Sequence, residues 1–320
     1  MSGARPRFSV CIRAHSRREG LRRAIESALA QDVDDLEVVV SDDSGQLGDV
    51  VAAAGDSQVS YHRNPGPKGS IANLRNVTSL ARGEMVAVLD DDDRILPGFL
   101  AAAGVPMERD ESVGVVFTGF VREAGSGRRP YVLPVPPGPV HDPLGMILAG
   151  HQPGRSATLI RRTALEEGEQ AYPLLDGHIG DLTTWIRAAA GGWGFWAVPE
   201  SLAVVSVHRG QLSAAESPAR MVRTLERFEF DDPATEAARL ARLADARRRE
   251  AFALASRGRV GAARAELARA SSVAPRPPIV RSLASLAANT PALHRISVRY
   301  PRVGDAFRGI RGRLLGAVVL

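Results

Sequence analysis

A chain of 320 residues can hold a catalytic domain and a smaller appendage, and its 44% hydrophobic and 24% charged residues are ordinary for a soluble globular protein. The net charge of +5 comes almost entirely from arginine, since Lys68 is the only lysine, and it is too dispersed to indicate a nucleic-acid partner. Cys11 is the only cysteine, which excludes an intrachain disulfide and fits a reducing cytoplasm. No apolar stretch approaches the roughly 20 residues that a membrane span requires, and residues 1–7 lack the apolar core of a signal peptide.

The N-terminal part of the chain alternates between strand and helix patterns. Short apolar runs predict strands at residues 8–12, 36–40, 59–62, 85–89 and 113–117. Apolar residues at helical spacing predict helices over residues 18–31, 50–54 and 71–81, and Pro97 stands where a further helix begins. Because uninterrupted apolar strands separated by helices are typical of covered parallel sheets, the sequence predicts an α/β fold with a mostly parallel central sheet flanked by helices.

The middle of the chain has a different pattern. Gly125-Ser126-Gly127 predicts a turn between two edge strands, and the proline-rich segment 130–143 cannot be a central strand. Further strands are predicted at residues 156–160, 194–198 and 203–207, and a helix over residues 181–190. We place the end of this first domain at residue 215.

Residues 216–320 form a separate helical region in this prediction. The sequence becomes rich in Ala, Arg, Leu and Glu, and it predicts two amphipathic helices, 239–257 and 260–272, around Gly258. This region could serve as a lid, as a homodimerisation element or as a membrane-proximal element. Residues 295–320 fit either a helix that lies on a membrane surface or a helix that packs on the protein.

Four consecutive aspartates, residues 90–93, follow the strand predicted at 85–89. Adjacent carboxylates repel each other unless a cation or hydrogen-bond donors neutralise them, and carboxylate oxygens suit Mg²⁺ or Mn²⁺ together with a phosphate. The alternative is a solvated acidic turn with one aspartate as a helix N-cap. Two more polar clusters, His15-Ser16-Arg17 and Asp42-Asp43, follow neighbouring strands, so the three clusters are expected to meet where parallel sheets bind ligands.

Several spaced motifs together resemble those of family 2 glycosyltransferases, which have the Rossmann-like GT-A fold. They occur in the family's order: the opening 8–17, the strand end 40–44, Asn64-Pro65-Gly66, and the aspartate run followed by residues 94–97. The resemblance covers residues 8–210 and leaves the C-terminal third as a helical extension. It implies an inverting enzyme that transfers a sugar from a nucleotide diphosphate donor, usually UDP-linked, to an acceptor hydroxyl.

The resemblance also implies roles for the aspartate run. Asp92 would be the direct ligand of an Mn²⁺ or Mg²⁺ ion that bridges the two donor phosphates. Asp90 and Asp91 would support the metal or contact the ribose, and Asp93 would cap the following helix. His208 matches a position that completes the metal shell in related enzymes.

The nucleoside would lie beside Asp42, with Asp43 next to it, by the same resemblance. Arg13 stands where the family usually has proline, which leaves the shape of the first loop open. The other residues matched to donor-contacting positions, with His15 placed to stack on uracil, are Ala14, His15, Arg17, Asn73 and Arg75.

Transfer requires a carboxylate that takes the proton of the acceptor hydroxyl. By resemblance this general base is Asp181, in the segment 180–187 that matches a family helix. Gly180 replaces the acidic neighbour usual in the family, and Asp176 is the alternative base. The segment 151–156 would lie on the acceptor side, where Arg155 could meet an anionic acceptor.

Two alternative functions stay open. A sugar-phosphate nucleotidyltransferase would carry a glycine-rich loop with arginine and lysine after the first strand, where this chain has His15-Ser16-Arg17. A non-catalytic nucleotide-sugar-binding protein would not need Asp181. The acceptor is left open among carbohydrate, lipid-linked and natural-product classes. The expected location is cytoplasmic, with the C-terminus as a candidate for peripheral membrane contact.

Overall fold

The structure is a computed structural model that describes residues 5–131, 135–171, 173–175, 177–207 and 218–274. The chain divides into two compact units, Met1–Ala215 and Glu216–Leu320. Three features discussed above, His208, Asp176 and the segment 295–320, lie outside the described residues.

The described residues of the first unit form one ten-stranded sheet with flanking helices. Its strands are β1 Phe8–Ala14, β2 Leu36–Asp42, β3 Val59–Arg63, β4 Met85–Asp90, β5 Arg94–Ile95, β6 Val113–Ala124, β7 Gly127–Tyr131, β8 Gly138–Val140, β9 Thr158–Arg161 and β10 Gly194–Val207. Its helices are α1 Arg18–Leu29, α2 Gly48–Ala54, α3 Ser70–Leu80, α4 Phe99–Arg109, α5 Pro143–Leu148, α6 Arg162–Ala171 and α7 Gly180–Ala190.

The strand order is β3-β2-β1-β4-β9-β6-β10-β5, with β7 paired to β6 and β8 to β10. Strands β3, β2, β1 and β4 are parallel, as predicted, whereas β9 runs antiparallel between β4 and β6. The α/β class with a central sheet is therefore confirmed, and the sheet as a whole is mixed. The C-terminal ends of β1, β2 and β4 lie side by side, because Arg13 is in register with Asp90 and Ala14 with Asp42.

Burial explains why the first strands are almost wholly apolar. Helix α1 places its buried face, Leu21, Ala24, Ile25 and Ala28, against the sheet at the spacing that the sequence predicts. Helix α4 adds Phe99 and Leu100, which have no exposed surface. Each fully buried side chain of this size stabilises the fold by about 1.5–3 kcal/mol.

One local prediction is wrong in detail, and one helix was not predicted. Residues 194–198 and 203–207 are not separate strands but one strand, β10, whose pairing with β6 shifts at Val198/Ser201 and again at Ser201/Ala203. Pro199 falls in this irregularity, where no ladder hydrogen bond is required of it. Helix α6 begins at Arg162, directly after β9. No turn residues separate the two elements, so the sequence pattern does not indicate where the helix starts.

The second unit contains the two predicted helices and a preceding one. They are α8 Pro218–Leu225, α9 Pro233–Ser256 and α10 Val260–Val273. Asp232 caps α9 by accepting a hydrogen bond of 2.8 Å from Thr235 N, and Gly258 takes a φ of 77° in the turn before α10. Within the described ranges, no helix is both long enough and apolar enough to cross a membrane.

Candidate active site

Asp90, the first of the four aspartates, is clamped by an arginine from the neighbouring strand. Arg13 Nη2 donates to Asp90 Oδ2 at 2.9 Å and Arg13 Nε donates to Oδ1, which makes a bidentate pair. Arg13 Nη1 also donates to Ser70 Oγ at 2.5 Å. Burial raises the pKa of Asp90, but the charge of Arg13 and its hydrogen bonds outweigh burial and bring that pKa below its ordinary value. Asp90 is therefore ionised and held in a fixed orientation.

Asp91 organises the loop that follows β1. Its carboxylate accepts hydrogen bonds from His15 N at 3.0 Å and from Arg17 Nη1 at 2.8 Å. Only 3% of the residue is exposed, and burial raises the pKa of its carboxyl group. The backbone of the His15 loop is thus fixed by the acidic run, while the His15 side chain remains exposed.

Asp93 does not cap the following helix, so that prediction is wrong. Helix α4 begins at Phe99 with Gly98 as its N-cap. Asp93 instead accepts hydrogen bonds from Ser156 Oγ at 2.6 Å and from Ser206 N at 2.9 Å. Burial and then the charge of Asp90 raise the pKa of Asp93 well above its ordinary value. This carboxyl group links the turn before β9, and β10 itself, to the segment that follows β4.

Three of the four aspartates converge closely enough to hold a cation. One carboxylate oxygen from each of Asp90, Asp92 and Asp93 lies within 4.8 Å of the others. The oxygen donors and their crowded negative charge fit a hard divalent ion such as Mg²⁺ or Mn²⁺. Burial, and then the charges of Asp90 and Asp92, raise the pKa of Asp93, as expected for a carboxyl group in a crowded acidic cluster.

Asp42, at the end of β2, is fully buried and holds the loop around it. Its oxygens accept hydrogen bonds from Ser44 N, Ser44 Oγ and Leu47 N at 2.8 Å each, and from Tyr61 Oη at 2.9 Å. Burial raises the pKa of Asp42, but these hydrogen bonds lower it further than burial raises it. Asp43 accepts from Asn64 Nδ2 and Gly69 N. Nucleoside contact by either carboxylate stays a prediction.

Replacing Asp42 by Asn is expected to destabilise the protein by about 2–4 kcal/mol, because an amide group would face donors that now meet carboxylate oxygens. Since the folded-state pKa of Asp42 lies below its unfolded value, its contribution is complete above pH ~4 and is lost as the pH falls through the lower folded value. Urea unfolding at pH 7 and pH 3 measures both effects. Asp110→Asn is the control, since Asp110 makes the same turn to Ser112 on the surface. Equal effects of the two substitutions would contradict this account.

The two residues predicted on α3 lie in different places. Asn73 is buried and joins α3 to the sheet, since its Nδ2 donates to Ala14 O at 2.9 Å and to Ser41 O at 3.2 Å. Arg75 is about half exposed and pairs with Glu169 at 3.3 Å. Asn73 is therefore beside the predicted nucleoside site but engaged with backbone, and Arg75 lies on the wall of a cavity that Asp181 also lines.

Asp181 lies in the first turn of α7 and pairs with the buried Arg155. About a third of the Asp181 side chain is exposed, and it lines a cavity of about 890 Å³ between α3, α6 and α7. Apolar residues make up much of the wall, including Ile71, Leu74 and Trp185. This volume is within the range of small-molecule sites.

The charged residues that line this cavity compensate one another. Arg75 pairs with Glu169, Arg162 with Glu166 at 2.5 Å, and Arg155 with Asp181. Among the described lining residues, three arginines thus meet three acids. The cavity is therefore mixed apolar and charge-balanced rather than strongly cationic.

The contacts of Arg13 and Ser156 are not evident from the sequence, which predicts for Arg155 only a contact with an anionic acceptor. Each of them acts through a long-range contact to Asp181, Asp90 or Asp93. The one available signal was Arg13, which departs from the proline expected at its position. The predicted ligand His208 lies outside the described residues.

The α/β sheet with an acidic cluster at the C-terminal end of β4 has the arrangement of the GT-A fold. The chain belongs to glycosyl transferase family 2, whose model matches residues 9–168. The catalytic class and the family expected from the sequence are thereby confirmed.

The individual relatives either match only part of the chain or have low sequence identity to it. A GalNAc(5)-diNAcBac-PP-undecaprenol beta-1,3-glucosyltransferase of Campylobacter jejuni is 39% identical over 101 residues, which are 30% of this chain and 33% of that protein. The match thus spans about a third of the relative's length. The structure of S. aureus TarS 1-349 in complex with UDP-GlcNAc aligns with a TM-score of 0.61 and 17% identity over 95% of this chain and 92% of that one.

A second solved structure has a similar fold. It is the mannosyltransferase PcManGT from Pyrobaculum calidifontis in complex with GDP-Man and Mn²⁺. It aligns with a TM-score of 0.57 and 19% identity over 99% of this chain and 87% of that one. At these identities the two structures establish the fold alone.

Proposed function

We propose that this protein is an inverting, metal-dependent glycosyltransferase that uses a nucleotide diphosphate sugar, with UDP as the favoured nucleotide. The observation that carries the proposal is that the candidate site has two distinct groups of carboxylates. The cluster of Asp90, Asp92 and Asp93 suits a cation, whereas Asp181 is a single carboxylate that opens into a cavity. Leaving-group stabilisation and proton removal are the two tasks that sugar transfer from a diphosphate requires.

Asp92, with Asp90 held by Arg13, would bind Mn²⁺ or Mg²⁺. When bound, the ion supplies positive charge to the diphosphate that leaves. Arg17 lies beside Asp91 and Asp92, where it can add to that charge. The structures of TarS with UDP-GlcNAc and of PcManGT with GDP-Man and Mn²⁺ support a nucleotide-sugar donor with metal assistance.

Asp181 is proposed as the general base on the acceptor side. Its carboxylate would accept the proton of an acceptor hydroxyl in the cavity while the hydroxyl oxygen bonds to the anomeric carbon. The bond from that carbon to the phosphate oxygen breaks on the opposite face, which inverts the configuration. We favour a lipid-linked acceptor, because the Campylobacter relative is described as acting on an undecaprenol-linked glycan. A cytoplasmic location, membrane contact and a homodimer stay predictions.

A thermal-shift panel of nucleotide diphosphate sugars, with and without Mn²⁺, tests the donor. Ligand that binds only the folded state is expected to add about 2.7 kcal/mol at a concentration of 100 times Kd. We expect UDP-sugars to raise the melting temperature most, and only when Mn²⁺ is present. No shift with any nucleotide diphosphate would contradict the proposal, and a shift without turnover of any donor would favour the non-catalytic binding protein.

A further inference from the structure

We propose that Arg155 is a positioning residue that holds the carboxylate of Asp181 for proton transfer. The inference rests on the proposed function, in which Asp181 is the base. Arg155 Nη2 pairs with Asp181 Oδ1. Only 9% of the Arg155 side chain is exposed, against 33% of the Asp181 side chain. The guanidinium is therefore fixed in the interior, and the carboxylate it holds reaches the cavity.

The backbone on both sides of Arg155 is anchored. Gly154 lies so close to Phe120 that a Cβ atom there would come within 2.9 Å of the ring. Ser156, on the other side, donates its hydroxyl to Asp93 at 2.6 Å. The short turn Arg155–Ala157 therefore contains both contacts. Arg155 pairs with the proposed base, and the next residue, Ser156, binds the acidic cluster.

Gly180 leaves the space that the guanidinium needs. A Cβ atom at this position would lie 3.2 Å from Arg155 Nη2 and 2.8 Å from Ile71 Cδ1. A larger residue at 180 would require the end of the Ile71 side chain to move and Arg155 to shift slightly. The glycine next to the base thus fits the close packing of Ile71 and Arg155 over the start of α7.

Burial of the positively charged Arg155 side chain is energetically unfavourable. Burial lowers its pKa to about 9, and the nearby charge of Arg13 acts in the same direction, so the side chain stays protonated at neutral pH. Its buried Nε has no hydrogen-bond partner among the described residues. A buried cation with an unsatisfied donor contributes poorly to stability. The case for a positioning role therefore rests on the geometry, in which the buried guanidinium pairs with a carboxylate at the cavity wall.

A double-mutant cycle of Arg155→Met and Asp181→Asn tests the inference with the donor found by thermal shift. Arg155→Met is expected to lower kcat about 10- to 100-fold with the donor KM nearly unchanged, because a base misplaced by about 1 Å loses that much. The double variant is expected to be no slower than Asp181→Asn, since Arg155 acts through Asp181. Arg155→Lys, which keeps the charge, is expected to recover part of the loss.

Arg187→Met is the matched control. Arg187 is also a buried arginine, pairs with Glu169 at 2.9 Å and lies on the same helix as Asp181. Its replacement is expected to lower the melting temperature and leave kcat within about twofold, as for a residue that only stabilises the fold. If Arg155→Met behaves in the same way, the positioning role is wrong.

Other outcomes separate the two proposals. Effects of Arg155→Met and Asp181→Asn that multiply in the double variant would show that Arg155 acts independently of Asp181 and would overturn the inference. Loss of transfer in Asp181→Asn with normal transfer in Arg155→Met overturns the inference and leaves the base role intact. Full transfer in Asp181→Asn removes both. If Arg155→Met does not fold, the cycle is run with Arg155→Lys, whose smaller effect must still vanish in the Asp181→Asn background.

Discussion

Asp181→Asn is expected to reduce sugar transfer about 10²–10⁴-fold, the range that a general base contributes. The amide has nearly the same shape as the carboxylate but cannot take the acceptor proton, so binding of the donor is expected to survive. Single-turnover transfer measures the first effect, and the thermal shift with donor and Mn²⁺ measures the second.

The control for this substitution is Asp49→Asn. Asp49 also lies in the first turn of a helix and pairs with an arginine, Arg18, but on the exposed surface. We expect it to transfer sugar at the normal rate. Normal transfer by Asp181→Asn as well would remove Asp181 from the mechanism, and Asp176 would then be the carboxylate to replace next.

Asp92→Ala is expected to abolish the Mn²⁺-dependent part of donor binding. Loss of supporting residues around a metal typically weakens affinity 10- to 100-fold, and loss of a direct ligand is expected to exceed that range. The metal-free protein should be at least as stable as before, because one of several crowded negative charges is gone. Melting temperatures with and without Mn²⁺ and donor measure both terms.

Asp49→Ala serves as the control for Asp92→Ala, since it removes an aspartate from the surface without touching the acidic cluster. Its Mn²⁺-dependent shift is expected to be unchanged. An unaltered Mn²⁺ response in Asp92→Ala would contradict the ligand role of Asp92 and direct attention to Asp90 and Asp93, the other two members of the converging set.

The regular elements were predictable where burial is uniform. Strands β1, β2 and β4 are buried on both faces, and their short, mostly apolar runs are typical of such strands. Strand β10 was split in the prediction because Pro199 and Glu200 interrupt its pattern, and only the pairing with β6 shows that the chain continues. Helix α6 was missed because Arg162 continues from β9 without a break.

The residues of the candidate site were easier to predict from the sequence than the contacts between them. The aspartate run could be found because it follows an apolar strand pattern, whereas Asp181 was proposed only by resemblance to the family. The clamp of Arg13 on Asp90, the link from Ser156 to Asp93 and the pair of Arg155 and Asp181 join residues from distant parts of the chain. No periodicity or spacing encodes such a contact.

The sequence by itself determined the α/β class, the parallel core and the position of the acidic run at a strand end, because hydrophobic periodicity and the succession of strands and helices along the chain are local properties. Only the tertiary structure decided which groups bind each carboxylate of the aspartate run. Arg13 fixes Asp90, the His15 loop occupies Asp91, and Ser156 and Ser206 bind Asp93. The physical reason is that a carboxylate's charge state and orientation depend on burial and on donors brought to it by folding.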